Sequence, residues 1–89
     1  MRHCTLFLSD IKDKDALHGR LQGALMLPDY YGRNLDALYD CLTDTGEDTE
    51  LVIRGYDDLL GSLGGYAISF RSVVEKAASE NGRLSVSFL

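Results

Sequence analysis

The sequence predicts an α/β protein, a three-layer-like small sandwich in which a three-stranded parallel sheet is packed by about four helices. Three short apolar runs, at residues 5–8, 51–53 and 84–89, have the length and composition of strands. Each gap between them holds segments with helical period, and parallel neighbours need such crossovers, connected with a right hand. The 89 residues, 45% hydrophobic and 26% charged, suit one soluble domain spanning 1–89, and no repeat or long linker divides them.

The elements follow in order. After the first strand comes a helix capped near Asp13, with Leu17, Leu21 and Leu25 as its inner face. Gly19 and Gly23 weaken it slightly, and Pro28 ends it and opens a loop. Asn34 caps the next helix, where Leu35, Leu38 and Leu42 recur at the spacing of one stripe. At about 100° per residue, Asp36, Asp40 and Asp44 lie opposite that stripe and Tyr39 lies on the border. Residues 44–50 read as a solvated acidic loop into the second strand. A short helix over 56–63 precedes a longer one over 66–79, in which Tyr66, Phe70, Val73, Val74 and Ala77 share a face. Gly64-Gly65 and Asn81-Gly82 mark the ends of the longer helix, and Ser85 and Ser87 alternate with apolar residues in the last strand.

Charge is the most informative feature. Residues 29–50 hold seven acids (Asp29, Asp36, Asp40, Asp44, Glu47, Asp48, Glu50) and one base, Arg33, so the local balance is 1 − 7 = −6. The whole chain carries −5, which leaves +1 for everything else. Nucleic acids and anionic membranes are bound through Lys and Arg, so both are excluded as partners and a basic protein is favoured. Asp36 is well placed in the first turn near the helix dipole. Asp40 and Asp44 are not: like charges four residues apart repel by a few tenths of a kcal/mol, and Asp is a mediocre helix former. Helix stability alone does not select this pattern.

Other chemistry is thinly represented. Cys4 and Cys41 have no CxxC spacing, His3 and His18 make no zinc pattern with them, and both cysteines read as buried free thiols. No metal or cofactor is expected. There is no nucleophile–base motif or phosphate-binding glycine loop, and Asp36 and Asp40 lack a neighbour that would make them an acid–base pair, so the chain reads as a binder and not an enzyme. The N-terminal apolar run is too short for a secretory signal and no segment approaches membrane-spanning length, which points to the cytoplasm.

The segment LPDYYGRNLDALYDCLTD closely resembles the barstar family of bacterial ribonuclease inhibitors. The shared run is LP-x-YYG-x-NLDAL-x-DCLT, with Asp29, Arg33 and Tyr39 at the variable positions; the flanking sequence agrees by pattern. The resemblance implies a barstar-like fold and a cytoplasmic inhibitor that plugs the active site of a basic, extracellular-type ribonuclease as a 1:1 complex and is itself a monomer when free. It also implies the alternative of an immunity module for another basic toxin or nuclease. By the same resemblance Asp40 is the principal carboxylate entering the phosphate site, Asp36 contacts the basic rim, Tyr30 stacks near the catalytic His, and Gly32 and Asn34 allow close approach. Asp44 adds rim charge. Tyr31 and Tyr39 fit either contact or half-buried packing. Tyr39 replaces the family's Trp, a second family aromatic is missing near Thr45 and Gly46, and Arg33 brings a positive charge into the contact loop. A further family acid on the last helix aligns with Glu75, or with Glu80 as the other choice.

Overall fold

The computed structural model describes residues 1–89. In chain order it contains β1 (Arg2–Phe7), α1 (Lys14–Leu25), α2 (Leu35–Thr43), β2 (Thr49–Arg54), α3 (Tyr56–Leu63), α4 (Gly65–Glu80) and β3 (Leu84–Phe88). The strands form one parallel sheet in the order β1-β2-β3. This is the α/β class that the apolar runs and their helical crossovers predict.

Strand side chains alternate between faces, and the register aligns them into rows. Cys4, Leu51 and Val86 form one row, and Leu6, Ile53 and Phe88 the next. These point into the core, whereas His3, Thr5, Phe7, Arg54, Ser85 and Ser87 are exposed on the opposite face. Within the expected fold class the helices therefore gather over one side of the sheet instead of covering both. Thr5 and Phe7 belong to an apolar run in the sequence, but the pleat turns them outward.

The core is completed by Leu17, Leu21 and Leu25 of α1, Leu38 and Leu42 of α2, Leu59 of α3, and Ala67, Phe70, Val74 and Ala77 of α4. Leu35 and Cys41 of α2 are only half-buried, so the dry side of that helix is narrower than its leucine stripe suggests. α4 packs against α2, α3 and β3 and so joins the acidic helix to the rest of the protein.

Several boundaries differ from the sequence expectation, each for a tertiary reason. β1 begins at Arg2 and β2 at Thr49, because the ladder pairs Arg2 with Thr49 and His3 with Glu50 whatever their polarity. The acidic loop is correspondingly shorter. α1 stops at Met26, which takes a left-handed conformation (φ 55°, ψ 46°) and donates its N–H to the Gln22 carbonyl. Pro28 follows that stop and does not cause it. Between α3 and α4, Gly64 adopts φ 55° and ψ −123°, a conformation essentially restricted to glycine, so two helices meet there without a linker.

Candidate protein-binding site

The acidic helix is held at both ends. Asn34 adopts an extended conformation, and its Oδ1 accepts the Ala37 N–H at 2.8 Å, satisfying a donor of the first turn. At the other end the Asn81 side-chain amide donates to the carbonyls of Leu42 (2.9 Å) and Thr45 (3.2 Å). Thr45 Oγ1 donates to the Cys41 carbonyl at 3.1 Å, so Cys41 and Leu42, whose carbonyls lie in the last turn, both have side-chain partners. On its inner side α2 buries Leu38 and Leu42. A rigid rod results, with one face free.

That face carries Asp36 and Asp40, both exposed, and ends at the C-cap, Asp44. Preceding it, the loop over 28–34 projects Tyr30, which at 88% exposure is the most open aromatic of the chain. Tyr30, Asp40, Cys41, Thr43 and Asp44 surround one open depression. A second depression continues from it past Met26, Pro28 and the Thr45–Glu47 turn. An aromatic ring and two carboxylates thus face the same opening, with Asp36 one turn further along α2.

Ion pairing sorts the acids of the segment. Asp48 pairs with Arg83 at 3.1 Å, and Glu50 lies on β2 beside His3 at 3.0 Å. Asp29, Asp36, Asp40, Asp44 and Glu47 are exposed and enter none of the ion pairs. Of these five, Asp40 and Asp44 line the first depression and Glu47 the second, and their charges face solvent.

The thiol of Cys41 is kept protonated by its surroundings. Burial pushes its pKa up, and the charges of Asp40 and Asp44 push it further in the same direction. A nucleophile needs the opposite shift, so Cys41 is not activated for attack.

The structure places five residues more narrowly than the sequence does. Tyr31 is only 5% exposed, and its hydroxyl lies 2.6 Å from His18 Nδ1 in the interior. Arg33 is exposed, but its charge is paired within the protein. Its guanidinium folds back onto α1, bonding Asp15 Oδ1 (2.9 and 3.2 Å), the Asp15 carbonyl (3.0 Å) and Gln22 Oε1 (3.1 Å). Glu75 pairs with Arg71 one turn earlier, and Arg71 lies over the rings of Tyr56 and Phe88, away from α2. Glu80 instead reaches α2: its carboxylate accepts the Tyr39 hydroxyl, and Lys76 lies 5.3 Å from the centre of the same ring. Tyr39 is half-buried and tied to α4.

Gly32 and Asn34 are placed by crowding and capping. A Cβ at Gly32 would stand 3.2 Å from Asn34 Nδ2 and 3.3 Å from Ala37 Cβ, tighter than ordinary van der Waals contact. Asn34 Nδ2 donates to the Gly32 carbonyl at 3.1 Å, so both ends of the amide are used within the protein.

His18 is a buried residue whose contact with the loop over 28–34 was missed by sequence reasoning. It is buried, with Nδ1 2.6 Å from the Tyr31 hydroxyl and Nε2 2.7 Å from the Tyr66 hydroxyl. A neutral imidazole donates through one nitrogen and accepts through the other, so one tyrosine gives a proton to the ring and the other receives one. Burial lowers the His18 pKa, Arg33 lowers it further, and Asp15 opposes them. Its place beside Leu17 and Leu21 on the inner face of α1 was the available signal.

The profile of the family described as "Barstar (barnase inhibitor)" matches residues 1–89, the whole chain. The chain belongs to the barstar family. It is also 38% identical over 81 residues to a Bacillus subtilis (strain 168) protein named "Putative ribonuclease inhibitor YrdF", covering 90% of this chain and 89% of that one. In this barstar-family protein no helix is long and apolar enough to cross a membrane.

Proposed function

We propose that this barstar-family protein inhibits a basic ribonuclease by seating Tyr30 and the carboxylates of α2 in the enzyme's active site. The observation that carries the reading is the grouping of Tyr30, Asp40 and Asp44 around one opening, with acids that have no ion-pair partner of their own. An enzyme that cleaves RNA must stabilise phosphate charge with clustered cationic donors. Carboxylates on a capped helix resemble that phosphate and meet those donors without reorganising. Arg grips a carboxylate through two parallel hydrogen bonds, and the short Asp side chain loses little rotamer freedom on docking.

Asp40 is the central anchor in this reading, Asp36 and Asp44 lie toward the rim, and Tyr30 supplies a rigid amphipathic contact of the kind that dominates interfaces. Tyr39 and Glu80 form a linked pair at the α4 border of the contact surface. The protein acts stoichiometrically, in the cytoplasm of the producing bacterium, protecting it from a nuclease intended for export. The test is competition: a mononucleotide bound in the enzyme's phosphate site excludes the inhibitor, and a ternary complex of undiminished affinity would contradict active-site plugging.

A second reading keeps the surface and changes the partner, to a different basic toxin or nuclease. Tyr39 favours it, because a ring smaller than the family's Trp and tied to Glu80 and Lys76 offers a different contact shape. A nuclease panel separates the two readings.

A further inference from the structure

We propose that Asp15, His18 and Gln22 of α1, together with Arg33, form a clamp that sets the 28–34 loop in its binding conformation. These are positioning residues, and Arg33 is one of them instead of a contact. What the loop binds rests on the ribonuclease-inhibitor reading; whether the clamp orders the loop does not.

Apart from the α2 cap, the loop is short of structure of its own. Its internal bonds are Tyr31 N–H to the Pro28 carbonyl (2.9 Å) and Asn34 Nδ2 to the Gly32 carbonyl (3.1 Å). Its side-chain tethers run to one side of one helix. Gln22 Nε2 donates to the Pro28 carbonyl at 3.0 Å, while Gln22 Oε1 accepts from Arg33 Nη1 at 3.1 Å, so one amide holds both ends of the loop. His18 holds the middle through Tyr31. Asp15 receives the Arg33 fork on its carboxylate and its carbonyl. Spacings of three and four residues place Asp15, His18 and Gln22 on a single stripe of α1.

Two further features fit a clamp. Arg33 has φ 55°, in a region that non-glycine residues seldom enter, and the fork holds it there. Gly19 lies within the same stripe, and a Cβ there would come 3.3 Å from Arg33 Nη2, so its lack of a side chain gives the guanidinium its seat. Tyr30 and Asp36 stand three residues to either side of Arg33. The clamp consequently fixes their relative position, which decides whether ring and carboxylates enter an active site together.

The test uses Arg33→Asn, Asp15→Asn and the double substitution in the full chain. Asn enters the left-handed region readily, so the first removes the fork without forcing the backbone. Two readouts are taken: dissociation from the guanyl-specific ribonuclease that the chain inhibits most strongly, and hydrogen-exchange protection of the Tyr31 amide in the free protein. Each single substitution is expected to speed dissociation and reduce protection by about three- to tenfold, with the double no worse than either single. If Arg33→Asn speeds dissociation while Asp15→Asn does not, Arg33 is a contact and the clamp is refuted. Unchanged Tyr31 protection in both variants refutes it as well. If the unmodified chain inhibits no ribonuclease, the functional reading fails, and Tyr31 protection still decides the clamp.

Discussion

Asp40→Ala is expected to move folding stability and binding in opposite directions. Its side chain is exposed and pairs with no basic group. It stands four residues from both Asp36 and Asp44, and relieving each repulsion returns a few tenths of a kcal/mol. Replacing Asp by Ala in a helix adds about 0.5–0.7 kcal/mol. The free protein should therefore gain about 1 kcal/mol, which for a domain of this size raises Tm by about 4–8 °C. Binding to the ribonuclease should weaken by about 2–5 kcal/mol, since the enzyme's cationic groups are left buried and unpaired. That range includes barnase–barstar, the pair that gives this family its name. It corresponds to roughly 30-fold to several thousandfold in Kd. Thermal melting of the free protein and displacement of labelled inhibitor from the complex give the two numbers. A lower Tm, or a loss of affinity no larger than that from Asp44→Ala, would refute the assignment of Asp40 as the anchor.

Met26→Gly should stabilise the protein by about 1 kcal/mol, because Met26 is exposed and left-handed while glycine adopts that conformation without strain; a fall in the denaturant midpoint would contradict it. His18 should make stability depend on pH in a defined sense. Burial holds its folded pKa below the ordinary value, so the unfolded chain binds the proton first. Its contribution is full above a pH of about 6.5, falls as the pH drops below that, and levels off once the folded ring is protonated; denaturant midpoints with the His18 ring followed by NMR would test this, and a midpoint rising as pH falls from 7.5 to 6 would oppose it. Neutralising Asp44 and Glu47 together should slow association, flatten its salt dependence and leave dissociation nearly unchanged, because unpaired rim charges act on encounter; stopped-flow mixing across ionic strength gives all three quantities.

The sequence was most legible where local rules and tertiary packing agree. Leu17, Leu21 and Leu25 repeat on one helical side and are buried together; Asn34 reads as a cap and acts as one. Asp40 stood out because its spacing opposes helix stability. What stayed hidden depends on partners distant in the chain. The apolar run at 5–8 gives no sign that Arg2 starts the strand, since that follows from pairing with Thr49. Arg33 looks like an exposed loop charge until Asp15 and Gln22 are brought beside it, and Tyr31 and His18 declare their role only as a pair. Glu75 and Glu80 are both polar-face glutamates on α4, and helix packing puts only Glu80 next to Tyr39.

Whether the Tyr30–Asp40–Asp44 surface blocks a ribonuclease stoichiometrically is tested most directly by titrating the purified protein into a panel of microbial guanyl-specific ribonucleases, with RNA cleavage as the readout. At least one enzyme should lose activity linearly to an end point at one inhibitor per enzyme, and Asp40→Ala should abolish that end point at the same concentrations. Full activity throughout the panel at excess inhibitor, or inhibition that Asp40→Ala leaves intact, would contradict such blocking.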